Sequence, residues 1–209
     1  MKNRTRTLAA LLATLTAITA LPGCAPLIIG GAMVGGGMMA IDRRTSGAQV
    51  EDEAIELKAT SRISQLATLG NISVTSYNRM VLITGEVPTD GDRTKVEEAV
   101  QRMENVRSVV NELAVAGNAS LTARSGDSIT SAKVKATMVD AKDMQANAVK
   151  VVTERGVVYL MGRVTEREAT RAAELARSVP GVQKVVRVFE VISEEELAGL
   201  LAKPTPPKP

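Results

Sequence analysis

The sequence predicts an α+β protein built from two tandem αββαβ modules, each a three-stranded sheet with two helices on one face. A shift of 77 residues superimposes the two halves of the chain, so that ISVTSYNRMVLITGEV at 72–87 falls on VKVVTERGVVYLMGRV at 149–164. Each half also shows helical and strand patterns in the order helix, strand, strand, helix, strand. Each copy spans about 70 residues, which is near the small end of independently folding domains.

The first half of each module is predicted as a helix followed by a hairpin. Residues 51–67 and 128–142 are rich in Ala, Leu, Lys and Glu, which favour helix. β-branched runs then alternate around the dipeptides Asn78-Arg79 and Arg155-Gly156, a pattern typical of hairpins.

The second half of each module is predicted as a helix and a last strand. Apolar residues three and four apart indicate the helix, and Thr165 with Glu168 forms a capping-box pattern that places its start in the second copy. The runs VRSVVNELAV at 106–115 and VQKVVRVFEV at 182–191 each predict one continuous strand.

This unit resembles the BON domain, an αββαβ module of bacterial envelope proteins. The central glycine of that family matches Gly85 and Gly162. A structural role, in which each glycine lets a helix approach the second strand closely, explains these positions without a ligand.

The amino terminus resembles a bacterial lipoprotein signal. Three cations precede an uncharged apolar stretch too short for a spanning helix, and LPGC at 21–24 resembles a lipobox with Cys24 as the acylated residue. The alternative is an ordinary secretory signal with an incidental cysteine. Ala25, in place of the Asp that signals inner-membrane retention in lipoproteins, favours the outer membrane.

The mature chain as a whole resembles the dual BON-domain outer membrane lipoproteins of Gram-negative bacteria, most specifically over YLMGRVTEREA at 159–169. The glycine-rich segment 25–41 is interpreted as a tether, with a second spanning helix as the alternative. The predicted organisation is a signal peptide (1–23), a lipidated cysteine with its tether (24–49), a first BON domain (50–117), a flexible linker (118–126), a second BON domain (127–193), and a short helix with a Pro-rich tail (194–209).

The net charge of the mature chain argues against nucleic acid as a partner, and the two modules differ in the sign of their net charge. The chain has 26 Lys plus Arg against 23 Asp plus Glu, but three of the cations lie in the signal, so the mature part is neutral. Residues 50–117 hold 7 cations and 11 anions, whereas residues 118–192 hold 12 cations and 8 anions. This asymmetry predicts different roles for the two modules.

The residue types available predict a non-enzymatic protein without cofactor or metal. The chain has no His and no Trp, and its one Cys is the predicted lipidation site. The usual general base, the commonest metal ligand and a thiolate nucleophile are therefore missing. Carboxylate pairs keep a small periplasmic hydrolase open as an alternative, although no spacing singles out a pair.

The first helix of the second module is the predicted binding element. At 100° per residue it carries one apolar stripe of Ile129, Ala132, Ala136 and Val139, and a second of Val134 and Met138 on roughly the opposite side. Only one stripe can cover the sheet, and lysines border the other, a composition typical of a surface resting on an anionic bilayer. The alternative is that both stripes are buried and the lysines are merely solvated.

The resemblance implies that the second module binds anionic phospholipid through this helix. The residues expected to make the contact are Ile129, Lys133, Val134, Lys135, Met138 and Lys142. Ser128 stands where an aromatic residue is expected in the relatives, so contact through this helix is expected to be weak. The chain is thus expected to be a palmitate-bearing outer membrane lipoprotein that faces the periplasm and supports envelope integrity. It is also expected to take part in the stress response and to have envelope-assembly proteins as possible partners. The alternative is a protein-interaction scaffold whose only lipid contact is its acyl anchor.

Overall fold

The computed structural model describes residues 42–66 and 70–201 of the chain. Cys24, the predicted signal, the segment 25–41 and the Pro-rich tail lie outside these residues. Within them no helix combines the length and the apolar character needed to cross a bilayer.

Module 1 and module 2 repeat one order of elements. Module 1 comprises α1 (Ser46–Ser64), β1 (Asn71–Tyr77), β2 (Met80–Val87), α2 (Asp90–Gln101), β3 (Ser108–Asn111) and β4 (Ala114–Val115). Module 2 comprises α3 (Leu121–Asp140), a 3-10 turn (Ala146–Ala148), β5 (Lys150–Glu154), β6 (Val157–Val164), α4 (Glu166–Arg177) and β7 (Lys184–Val191), followed by α5 (Glu194–Leu201).

The second strand of each module is the centre of its sheet. β2 pairs antiparallel with β1 and parallel with β3 and β4, and β6 pairs in the same way with β5 and β7. Both hairpin turns have positive φ at two successive residues, Asn78-Arg79 and Arg155-Gly156, as the tightest hairpin turns require. The predicted α+β fold with two αββαβ modules is confirmed.

Two helices cover one face of each sheet. In module 1 the buried side chains Ile55 and Ala59 of α1 and Val96 of α2 pack on Val81 and Ile83 of β2. In module 2 the corresponding core joins α3 and four buried alanines of α4 to Val158 and Leu160 of β6. Short alanine side chains let α4 lie close to its sheet.

The remaining face of each sheet packs against the other module. Tyr77 and Leu82 of module 1 form one buried cluster with Tyr159, Met161 and Val188 of module 2. These residues alternate along their strands with the ones that face the helices, as the two-residue period of a strand requires. The described chain is therefore a four-layer sandwich, with helices outside and two sheets in contact inside.

Three predicted boundaries were wrong. α1 begins at Ser46, inside the predicted tether, because Thr45 caps it by accepting a hydrogen bond from the Ala48 amide. α3 begins at Leu121 instead of Ser128, so most of the predicted linker is helical. The predicted last strand of module 1 is broken into β3 and β4, because the Asn111 side chain accepts a hydrogen bond from the Leu113 amide and turns the backbone there.

Equivalent residues in the first helices of the two modules are separated by a different number of sequence positions from equivalent residues in the hairpins. The Asp52 carboxylate accepts from the Asn78 and Arg79 amides at 2.7 and 2.8 Å, and Asp127 accepts from the Arg155 and Gly156 amides at 2.8 and 2.9 Å. The two aspartates are 75 positions apart, although the turns they hold are 77 apart. Burial raises the pKa of Asp52, but the hydrogen bonds from Ser76, the turn amides and Arg44 outweigh it and hold that pKa below its usual value.

Gly85 and Gly162 occupy equivalent places in the second strand of each module, where the backbone at or just before the first strand comes unusually close. A Cβ on Gly85 would overlap the carbonyl oxygen of Asn71, and a Cβ on Gly162 would overlap that of Ala148. The first residue of β1 therefore approaches Gly85, and the 3-10 turn before β5 approaches Gly162, in place of the packing α-helix that was expected.

The segment before α1 is held by module 2. Both guanidinium nitrogens of Arg43 reach the Glu168 carboxylate at 2.7 Å, and one of them also donates to the Arg163 carbonyl at 2.9 Å. Arg43 and Glu168 are each only 5% exposed. Glu168 simultaneously completes the predicted capping box with Thr165, which is confirmed. We call this arrangement the Arg43 clamp.

Replacing Gly162 by Ala should lower the free energy of unfolding by about 1–3 kcal/mol, because the added methyl group overlaps the carbonyl oxygen of Ala148. Gly126→Ala is the matched control, because a Cβ at position 126 meets nothing within 4 Å. This substitution replaces a glycine inside helix α3 and should raise the free energy of unfolding by about 0.5–1 kcal/mol. Urea denaturation measures both. Equal effects of the two substitutions would contradict the steric role of Gly162.

Replacing Arg43 by Met should lower the free energy of unfolding by about 3–5 kcal/mol, because Glu168 is left buried without its partner. Arg167→Met removes an exposed ion pair to Glu194 at 3.5 Å and should cost less than about 1 kcal/mol. Comparable losses would show that the Arg43 clamp contributes no more than a surface pair.

The effect of Arg43→Met should depend on pH. Burial raises the pKa of Glu168, but Arg43 and the Thr165 amide outweigh it and hold the pKa below its usual value. The resulting stability is present above the unfolded carboxyl pKa of about 4.3 and is lost as the pH falls through the lower folded value. Denaturation of the wild type and of Arg43→Met should therefore converge under strongly acidic conditions and differ most at neutral pH.

Candidate functional site

Helix α3 presents its two predicted apolar stripes to different surroundings. Val134 and Met138 are completely buried in the core of module 2, where they contact the sheet and α4. Their assignment to an exposed, lipid-facing surface was wrong, because this stripe is the one that covers the sheet. The sequence alignment of the two modules placed Val134 beside Leu57, whereas the 75-residue shift places it beside Ala59, a core residue of α1.

The other stripe faces outward. Ile129 and Val139 are 56% and 62% exposed, and Ala132 and Ala136 between them are exposed as well. At 100° per residue these four positions fall within about 80° of one another. We call them the α3 stripe. It extends over about 15 Å of helix, and Leu121 continues the exposed apolar surface toward the start of α3.

The predicted lysines are divided between the two sides of α3. Lys133 and Lys142 are exposed beside the α3 stripe and near its end, and Asp140 is an exposed anion on the same side. Lys135 instead donates from Nζ to the carbonyls of Ala146 and Val149 at 2.6 and 2.9 Å. Burial lowers the pKa of Lys135. Of the six predicted contact residues, Ile129, Lys133 and Lys142 are therefore accessible together.

Electrostatic contacts join the two modules around the apolar inter-sheet cluster. Lys150 bonds to Glu56 at 2.9 Å, and the Arg155 guanidinium lies 3.4 Å from the buried Glu86 carboxylate. In the opposite sense, Glu190 of module 2 accepts from Asn78 and Arg107 at 2.6 and 3.0 Å. The acidic residues of module 1 that face module 2 thus meet part of its excess of cations.

Two neighbouring carboxylates at this interface, Glu86 and Glu154, lack a full set of hydrogen-bond donors from the described residues. Burial raises the pKa of Glu154, and the nearby carboxylates of Glu86 and Asp127 raise it further against the smaller effects of Arg155 and Arg124. Within the described ranges, one oxygen of Glu86 and one of Glu154 have no hydrogen-bond partner. The same part of the chain contains no group of three or more carboxylates, thiols or imidazoles arranged to hold a metal.

Two repeated αββαβ modules, packed sheet against sheet, define a tandem-repeat protein. The BON domain pattern matches residues 51–117 and 126–193, and the chain belongs to the BON-domain family.

Named relatives narrow this assignment. The chain is 36% identical over 175 residues to the outer membrane lipoprotein DolP of Haemophilus influenzae, covering 82% of this chain and 90% of that protein. It is 32% identical to the 21 kDa hemolysin of Actinobacillus pleuropneumoniae, covering 73% of this chain and 80% of that protein. It is 28% identical to the osmotically-inducible protein Y of Escherichia coli, over 65% of this chain and 70% of that protein.

The relatives also bear on location and activity. The similarity to the outer membrane lipoprotein extends over most of both chains, and the predicted location is confirmed: this is a lipid-anchored protein of the outer membrane. Of these three relatives one is named as a lipoprotein, one as a hemolysin and one by its osmotic induction, and none carries the name of an enzyme.

Proposed function

We propose that this chain recognises anionic phospholipid through the α3 stripe and thereby supports envelope integrity from the periplasmic face of the outer membrane, without catalysing a reaction. In this proposal Cys24 carries the acyl anchor. The observation that carries the proposal is the exposure of Ile129 and Val139 on one helix face of a lipid-anchored protein.

The chemistry of the α3 stripe suits the interface of a bilayer. Branched side chains at Ile129 and Val139 would enter the region below the headgroups, each contributing up to about 1.5–3 kcal/mol if fully buried. The small side chains of Ala132 and Ala136 let the helix backbone lie close to the surface. Ammonium groups at Lys133 and Lys142 would lie near phosphates, with about 1 kcal/mol each at an anionic surface.

The lipid anchor changes the affinity that the stripe must supply. Because the acyl chains already hold the protein at the membrane, a weak contact acts at a high local concentration of headgroups. The stripe would then decide where in the membrane the protein resides and which way module 2 faces. This accommodates a surface with two branched residues and no aromatic side chain.

Vesicle sedimentation tests the proposal. A fragment of residues 39–209, which is one compact unit and retains the Arg43 clamp, should co-sediment with phosphatidylglycerol vesicles and not with phosphatidylcholine vesicles. Binding should weaken as salt rises from about 0.05 to 0.5 M, because the Debye length shortens. No dependence on anionic lipid would contradict the proposal.

Variants locate the contact. Val139→Glu should lower the vesicle partition coefficient by about tenfold or more, because it removes apolar insertion and adds an anion. Leu57→Glu is the matched control: Leu57 is 73% exposed on the corresponding helix of module 1, and the change of charge is identical. Equal losses for both variants would reject the α3 stripe as the binding surface. Circular dichroism should show both variants folded.

A further inference from the structure

Module 1 has an open groove on its outer helical face. The groove lies between α1 and α2 and has a volume of about 530 Å³. Leu57, Ala99 and Met103 supply its apolar lining, and Leu57 is the most exposed of the three. An apolar channel between two packed helices is the shape that accepts a third helix.

Cations surround this groove although module 1 is acidic. Lys58, Arg62 and Arg102 line it, so three of the seven cations between residues 50 and 117 are gathered here. Within the described residues the side chains of Lys58 and Arg62 make no hydrogen bond or ion pair, while Arg102 pairs with Glu98 at 2.8 Å. Glu104 is the one carboxylate among the lining residues.

Several carboxylates of module 1 are already engaged by other parts of the chain. Glu56 and Glu86 are engaged by Lys150 and Arg155 of module 2, and Glu112 accepts from the Tyr159 hydroxyl at 3.4 Å. Asp52 is occupied by the hairpin turn and Arg44. Three carboxylates of module 1 therefore contact module 2, while Lys58 and Arg62, which are unpaired within the described residues, lie at the groove on its outer face.

We infer that this groove docks an acidic amphipathic helix of a partner protein. Apolar residues at every third or fourth position of that helix would contact Leu57, Ala99 and Met103. Carboxylates flanking the apolar row would meet Lys58, Arg62 and Arg102, which form charge-assisted hydrogen bonds with carboxylates.

The layer order favours a protein over a membrane as the occupant. The sheets pack against each other, so the helices of module 1 and those of module 2 lie on opposite sides of the sandwich. If the α3 stripe rests on the bilayer, as proposed above, the groove faces away from that bilayer. This step alone depends on the proposed function, since the shape and charge of the groove do not.

Labelled synthetic peptides provide the probe. An 18-residue helix with Leu at every third or fourth position and Glu flanking the Leu row is compared with a peptide of identical composition in scrambled order, and with one carrying Lys in place of Glu. Fluorescence anisotropy with fragment 39–209 should show saturable binding of the acidic amphipathic peptide. The other two peptides should bind at least tenfold more weakly. Equal binding of the scrambled peptide would overturn the proposal.

Charge reversal supplies the decisive comparison. Lys58→Glu combined with Arg62→Glu should weaken the acidic peptide by at least tenfold and strengthen the Lys-bearing peptide. Arg177→Glu is the control, because Arg177 is an exposed cation in the last turn of α4 and should leave both affinities unchanged. Unaltered preference in the double variant would overturn the proposal, as would an equal effect of the control.

Peptide binding and vesicle binding of the same variants distinguish the groove proposal from the lipid proposal. Leu57→Glu should weaken peptide binding and preserve vesicle binding, whereas Val139→Glu should do the reverse. If Lys58→Glu with Arg62→Glu abolished vesicle binding and left peptide binding intact, the groove would be a membrane site and the inference would be wrong. Failure of vesicle binding in the unmodified fragment, with peptide selectivity retained, would contradict only the lipid proposal.

Discussion

The contact between the two sheets is the constraint on which the rest of the structure depends. Burial of Tyr77 and Leu82 against Tyr159 and Met161 leaves each sheet no free face, so the helices must lie outside. It also makes two small modules, each marginal in size, share one buried interior. The Arg43 clamp adds a charged contact at the edge of this body and ties the start of module 1 to the helix α4 of module 2.

Duplication has produced two modules with one fold and different surfaces. Some of the opposite charges of the two modules pair with each other, Lys150 with Glu56 and Arg155 with Glu86. Other charged side chains lie on the outer surfaces. Module 2 exposes branched apolar residues on α3, while module 1 exposes an apolar groove with cations. Because the sheets meet in the middle, the two outer surfaces face opposite ways. One molecule could thereby contact a membrane and a protein at once.

The fold followed from the sequence because its signals are local and repeated. The hairpin turns at Asn78-Arg79 and Arg155-Gly156, and the capping box at Thr165, each depend on neighbouring residues. The prediction of which α3 residues are exposed failed for a physical reason. Either of the two apolar stripes could face the sheet and satisfy the 3.6-residue period, so the sequence pattern does not decide which stripe is buried. The Asp52 and Asp127 carboxylates, two residues out of step with the repeat, would have indicated the correct register. The Arg43 to Glu168 pair spans 125 positions, and no local pattern could indicate it.

Native-state hydrogen exchange after Leu160→Ala tests most directly whether both modules form one cooperative body. Leu160 belongs to the core of module 2 and not to the inter-sheet cluster. The substitution should destabilise by about 2–5 kcal/mol, which corresponds to at least roughly thirtyfold faster exchange through global opening. If the modules unfold together, exchange of the slowest amides of β2 in module 1 should accelerate by the same factor as exchange of those of β6 in module 2. Unchanged protection in β2 would show that the modules unfold independently and would contradict a single cooperative body.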